Sequence, residues 1–237
     1  MTVAEMHSEF KLGMDKSDSL SYPNFLPEEI DIFLNSEQEK FIKNRAYPSG
    51  RELGLEETQK RVDDLKNIFT NYQTTSFTTN SSNKPNGVFV TLPGDYLFAM
   101  EEEAIISYTD CNGASATKRV EVIPSTHDRY NRAIKEDPFN KPDKNQVTRL
   151  GYGLVTGNET FELITDGSTL TTYILRYIKE PVSIRYGTQY ETPTTDIDCE
   201  LSDHTHREIV AMAVRTALEN IESGRYNSTS QELNNIE

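Results

Sequence analysis

The chain contains no tryptophan and only two cysteines, Cys111 and Cys199, in 237 residues. Two distant thiols cannot build a disulfide framework, which excludes the small stapled secreted scaffolds and points to a reducing compartment. No apolar run approaches the ~18 residues of a membrane-spanning helix. The opening MTVAEMHSEF lacks the apolar core of a signal peptide. Positive charge is also in deficit: 24 Lys and Arg against 38 Asp and Glu leave a net charge of −14. That balance argues against a nucleic-acid binder, which needs a basic footprint, and against a peripheral protein of anionic membranes. The expectation is a soluble protein made in a cytoplasm.

Apolar residues are scarce too, at 35%, with a mean hydropathy of −0.64. A chain of this length forms one large domain or two small ones and buries roughly 70% of its surface on folding, so it needs no staples. The low apolar share points to long polar loops or to surfaces completed by neighbours. Charge is unevenly spread. Residues 191–237 hold ten acidic residues against Arg207, Arg215 and Arg225, whereas residues 124–150 hold six Lys or Arg against four Asp or Glu.

What is present is a change of period along the chain. Residues 1–70 read as helices. Thr2 and Glu5 have capping-box spacing, with Val3, Met6 and Phe10 behind them. Pro27 suits a first helical position, and Ile30, Phe33, Leu34, Phe41 and Ile42 form one stripe. A third helix carries Val62, Leu65, Ile68 and Phe69. Residues 70–86, rich in Thr, Ser and Asn, read as a boundary loop. A period of two then marks strands at GVFVTLP, DYLFAM, EAIISYTD, TKRVEVIPS, VTRLGYGLV, ETFELIT, TLTTYILRYIK and PVSIRYG. A short helix near 126–136 interrupts them. A last helix near 203–223 precedes a polar tail.

The predicted fold class is therefore α+β. Residues 1–70 and 201–237 form a helical domain, and residues 71–200 form a β-rich region inserted in it, with the last helix packing back on the first three.

The strongest candidate for chemistry is SDHTHREIVAMAV, beginning at Ser202. Ligands on one helix face lie three or four residues apart, but His204 and His206 are two apart, and Ile209, Val210, Ala213, Val214, Ala217, Leu218 and Ile221 require a helix. Ser202 or Asp203 reads as its N-cap. Cys199 lacks the second thiol of a structural zinc site. No cofactor is expected. The same helix places Ala211 and Met212 on its polar side, so it is covered on more than one face, by its own monomer or by a neighbouring subunit. GYGLVTG has no phosphate-loop lysine, DIDCE lacks calcium-loop spacing, MEEEA reads as a hairpin or solvated edge, and His7 and His127 are isolated.

Several blocks taken together, SYPNFLPEEIDIFLNSEQEKFIKNRAY, PSTHDRYNRAIKEDPFNKP leading into VTRLGYG, YILRYIKEPVSI and CELSDHTHREIVAMAVRTALENIESGRY, resemble the head-to-tail connector ring proteins of crAss-like short-tailed bacteriophages. They cover well over half the chain, and none carries catalytic chemistry. The resemblance implies a non-enzymatic virion protein forming a ring of twelve copies between portal and tail. Its partners would be the portal protein and adjacent ring proteins, with duplex DNA passing through unbound, and it would be assembled in the bacterial host cytoplasm. A ring needs two different, complementary surfaces on each subunit. The candidate interface residues are Arg129, Arg132, Lys135, Lys141 and Lys144 in the basic island, Ala211 and Met212 on the last helix, and Arg225 and Tyr226 in the tail. The rival readings are a monomeric tail-associated β-rich binding module and a metal-dependent hydrolase using His204 and His206.

Overall fold

The computed structural model describes residues 1–14, 25–46, 59–79, 84–110, 113–134, 137, 139–155 and 158–220. The fold is mixed α+β, in two compact units. One comprises Met1–Ile68 and Pro181–Glu237, and the other comprises Phe69–Glu180.

In the first unit, helix α1 (Val3–Gly13) begins at a complete capping box. The Glu5 amide donates to Thr2 Oγ1 at 3.3 Å and the Thr2 amide donates to Glu5 Oε2 at 2.9 Å. Two N–H groups that no helical carbonyl can reach are thereby satisfied. Helix α2 (Pro27–Ala46) starts on proline, whose missing N–H is one the first turn would leave unbonded anyway. Ile30, Leu34, Phe41 and Ile42 bury its apolar stripe, and Phe33 stacks on Phe10 at 6.1 Å. Helix α3 (Gln59–Leu65) tightens into a 3-10 turn, Lys66–Ile68. Helix α5 (His206–Asn220) follows a 3-10 turn at Asp203–Thr205 and packs on α1 and α2. A Cβ at Gly13 would lie 2.8 Å from Val214 Cγ2, so glycine is what lets the end of α1 approach α5.

The second unit is a curled seven-stranded sheet of order β1-β7-β3-β4-β5-β6-β2. Its strands are β1 (Phe69–Thr74), β2 (Gly87–Thr91), β3 (Tyr96–Thr109), β4 (Ser115–Ser125), β5 (Gln146–Val155), β6 (Asn158–Ile164) and β7 (Thr169–Lys179). All neighbours are antiparallel except β4 and β5, which run parallel with Glu121 opposite Gln146. A parallel pair needs a crossover. It is supplied by one α turn, α4 (His127–Arg129), widening into a π turn, Tyr130–Ile134.

Register shifts between β3 and β7 at Tyr96/Phe98, Ala99/Glu101 and Ile105/Ile106 bend the sheet. The Tyr72 hydroxyl of edge strand β1 donates to the carbonyl of Thr91 on edge strand β2 at 3.2 Å. One face encloses the core: Val90, Ala104, Ile106, Val120, Val122, Val147, Leu163 and Leu175 are buried there. On the other face Tyr130 and Ile134 cover Leu150 and Ile164.

Within the β unit, three readings of the sequence need correction. Residues 70–74, expected in a loop, belong to β1. Its polarity is that of an edge strand, with Asn71 and Gln73 exposed while β7 takes the backbone bonds. Phe69 starts that strand instead of continuing the third helix. DYLFAM and EAIISYTD are one continuous strand, β3, so MEEEA lies mid-strand and is not a hairpin or solvated edge.

Candidate functional site

At the start of α5 the two imidazoles turn to different partners. His204 Nε2 donates to Asp64 Oδ1 at 2.8 Å, and His206 Nε2, buried, donates to the Leu201 carbonyl at 3.0 Å. Asp64 itself is 1% exposed and forms an ion pair with Arg45 Nε at 3.0 Å, while Arg45 Nη2 reaches Glu208 at 2.6 Å. The result is a charge cluster that pins α2, α3 and α5 together. Among the described residues, no group of three or more His, Cys, Asp or Glu is arranged to hold a metal ion. Ser202 occupies the N-cap position of the 3-10 turn, but its hydroxyl donates to the Asp63 carbonyl at 2.8 Å instead of accepting from the helix. Cys199 is buried, and desolvation pushes its thiol up to about 11, far from a reactive thiolate.

His7, which looked isolated in the sequence, is buried and donates from Nε2 to Asp31 Oδ1 at 2.7 Å. Asp31, 3% exposed, also accepts from the Tyr186 amide at 2.9 Å and from the Tyr190 hydroxyl. Burial, followed by the hydrogen bond and charge of Asp31, pushes the Tyr190 phenol up to about 12. Farther along α2, Asn35 bonds both backbone groups of Ile184: its Nδ2 donates to the carbonyl at 2.9 Å, and its Oδ1 accepts from the amide at 2.7 Å. Gln38 Nε2 donates to the Val182 carbonyl at 3.4 Å.

Residues 182, 184 and 186 thus present one edge of an extended segment to side chains at helical spacing, while Arg185 pairs with Ile197 on the other edge. This corrects the expected strand at PVSIRYG. Its backbone partners are mostly α2 side chains, so no ladder forms.

Inside the β unit, Glu102 is 7% exposed. Arg149 Nη2 donates to its Oε1 at 2.7 Å, Arg149 Nε lies 3.1 Å from both oxygens, and the Tyr173 hydroxyl donates to Oε2 at 2.8 Å. The Arg149 guanidinium also lies 4.2 Å above the Phe161 ring. Desolvation first, then the Glu102 charge, holds the Tyr173 phenol well above its ordinary range. The adjacent Glu101 and Glu103 point outward to Arg176 and Arg119.

The expected interface residues fall in both units. Arg129 and Arg132, on the crossover, and Lys141 and Lys144, in the loop before β5, are all exposed. Arg132 pairs with Asp128 at 3.1 Å, and Lys144 lies 5.0 Å above the Tyr108 ring. Ala211 and Met212 are half-buried on α5, in the other unit. Lys135, Arg225 and Tyr226 lie outside the described residues.

Sequence reasoning passed over Phe139, which is 87% exposed in the same loop. The loop is held from within. Asp137 Oδ1 accepts from the Phe139 amide at 2.9 Å, Gln146 Nε2 donates to the carbonyls of Lys141 at 2.8 Å and Phe139 at 3.3 Å, and Asp143 Oδ1 accepts from the Asn145 amide at 2.7 Å. The signal available was a phenylalanine with no apolar neighbour at either period, set in the turn-forming run DPFNKPDKN.

Comparison with known proteins bears on this whole arrangement. A family model described as phage tail ring protein 3/4 matches residues 1–230. The chain is 28% identical over 230 residues to ring protein 4/5 of Bacteroides phage crAss001, covering 92% of each chain. It is 29% identical over 211 residues to ring protein 3 of the same phage, covering 83% of this chain and 86% of the relative.

Proposed function

The chain belongs to the phage tail ring protein 3/4 family, and from that premise we propose that it is a non-enzymatic subunit of a ring in the tail of a crAss-like phage virion. The observation that carries this reading is a family match reaching from residue 1 to residue 230. It spans both units, so the resemblance is to a complete ring subunit and not to a shared module. The side chains that first suggested chemistry fit the same reading, because His204, His206 and Cys199 are engaged in packing the helical unit.

In its full form the proposal is a closed ring of twelve copies, stacked between portal and adjacent tail rings, with duplex DNA passing through it. The β unit is an insert in the helical unit. Head-to-tail contacts that close by rotation need two different surfaces per subunit, and the exposed basic residues of the crossover and its following loop supply one charged surface. The net charge of −14 serves the channel. DNA carries about one charge per 1.7 Å, and screening acts over roughly 8 Å at physiological salt, so an acidic wall repels the duplex instead of holding it.

Electron microscopy of the full chain assembled with the portal of its own phage tests the reading directly. A twelve-fold ring stacked on the portal is expected. A single copy attached at the tail periphery refutes the proposal, as does stoichiometric zinc that is lost in His204→Ala. The channel idea has its own check, since assembled rings should bind duplex DNA weakly even at low salt.

A further inference from the structure

We infer that Phe139 anchors the contact between successive copies, seating on the exposed Ile32 face of α2 in the next subunit; this rests on the ring reading above. Phe139 is 87% exposed, yet its loop is already fixed by Asp137, Asp143 and Gln146. An aromatic side chain on a preorganised loop loses little freedom on docking and gains a large buried area, which is the physical profile of an interface anchor. Its surroundings are basic. Lys141 and Lys144 share the loop, Lys144 turning its amine to the Thr109 carbonyl at 3.4 Å, and Lys118 donates to Asn145 Oδ1 at 2.6 Å. The loop's two carboxylates, Asp137 and Asp143, are turned onto its own N–H groups.

The receiving surface has the opposite character. Ile32 is 67% exposed midway along the first half of α2, and Leu26 is 60% exposed at its entry. Glu28 lies four residues before Ile32 on the same helix face, while Glu29, three before it, accepts from the Leu26 amide at 2.8 Å. The chain therefore carries an apolar knob with Lys141 in its loop on one unit and an apolar spot with Glu28 on its helix face on the other. Pairing the knob with its own copy would set lysine against lysine and stop at a dimer. Pairing it with the α2 face of the next copy satisfies both charge and apolar area, and it leaves the same two surfaces free for the next addition.

The test places the photo-crosslinking residue p-benzoylphenylalanine at position 139 of the full chain and maps the adducts formed in assembled rings. Mixed light and heavy isotope-labelled chains distinguish contacts between copies from contacts within one. The expected adducts lie on α2 around Leu26–Ser36 of a second copy. Phe139→Ala and Ile32→Lys should each weaken ring association by roughly tenfold or more, with thermal unfolding of the free chain unchanged because both side chains are exposed. Lys141→Glu should weaken it too and be rescued by Glu28→Lys.

Rings whose adducts map elsewhere, or to a different protein, overturn the inference while leaving the ring reading intact. So do rings that form normally in both Phe139→Ala and Ile32→Lys. A full chain that forms no ring with or without portal removes the ring reading itself, and the inference with it.

Discussion

Replacing Arg149 by methionine tests the interior of the β unit. The substitution keeps apolar length but removes every N–H that Arg149 directs at Glu102, leaving a carboxylate 7% exposed with, among the described residues, the Tyr173 hydroxyl as its remaining side-chain donor. Breaking one side of a buried ion pair costs about 3–5 kcal/mol, and the surviving Tyr173 bond places this case near the lower end, about 3 kcal/mol. The loss of the Arg149–Phe161 stacking adds up to about 1 kcal/mol.

Removing the whole polar set behaves differently. Glu102→Met, Arg149→Met and Tyr173→Phe together leave no orphaned group and should return to within ~1–2 kcal/mol of the parent, because an apolar replacement also removes the desolvation cost. Urea unfolding followed by far-ultraviolet circular dichroism measures this, since the chain has no tryptophan. The loss must appear as a lower midpoint at unchanged slope. A single Arg149→Met variant less than ~1 kcal/mol below the parent refutes the reasoning, as does a triple variant no more stable than the single.

Asp31→Ala strands the donors of His7, Tyr186 and Tyr190 in the helical unit and should cost about 3 kcal/mol or more by the same unfolding assay. Asn35→Ala frees both backbone groups of Ile184, so amide exchange at Ile184 should accelerate by about tenfold or more while exchange in β3 and β7 stays unchanged. The Tyr177 and Tyr190 phenols are both pushed up to about 12, by burial first and then by Asp95 and Asp31 respectively. A folded-state value above the ordinary 10.0 means that the stabilisation is complete below pH ~10 and is lost as pH rises through ~12. Tyrosinate absorbance should therefore show a late fraction that Tyr177→Phe and Tyr190→Phe each reduce, and complete titration of the folded protein near pH ~10 would contradict it.

Where local rules decide the structure, the sequence was readable. The Thr2–Glu5 capping box, proline at the start of α2 and the alternating strands each follow from residues within one or two turns of each other. The misses share a physical cause, namely partners distant in sequence. Glu102 sits between two other glutamates and reads as solvated, because the Arg149 that neutralises it lies on another strand. His7 reads as isolated because Asp31 is on the next helix and Tyr190 near the other end of the chain. PVSIRYG alternates like a strand, and nothing local reveals that its hydrogen bonds go to the side chains of Asp31, Asn35 and Gln38. The histidine pair, spaced by two, cannot align on a helix, and in the structure each ring turns to its own partner, Asp64 and the Leu201 carbonyl. Asp64, however, became visible only when the chain was folded. The expected interface residues rest on charge distribution for the basic island and on an all-round apolar helix for Ala211 and Met212, and the exposed Phe139 in the same loop is hidden by its polar turn context.

The pairing of β1 with β7, Phe69 opposite Ile178, has a consequence for synthesis. The edge strand emerges from the ribosome roughly a hundred residues before the strand that holds it, a wait on the order of ten seconds at bacterial elongation rates. The helices α1 and α2 wait longer still, until α5 follows. A nascent chain can therefore finish the β unit only once it has passed Glu180, and the helical unit only once α5 has followed, so half-made copies present no completed surface on which a neighbour could prematurely build.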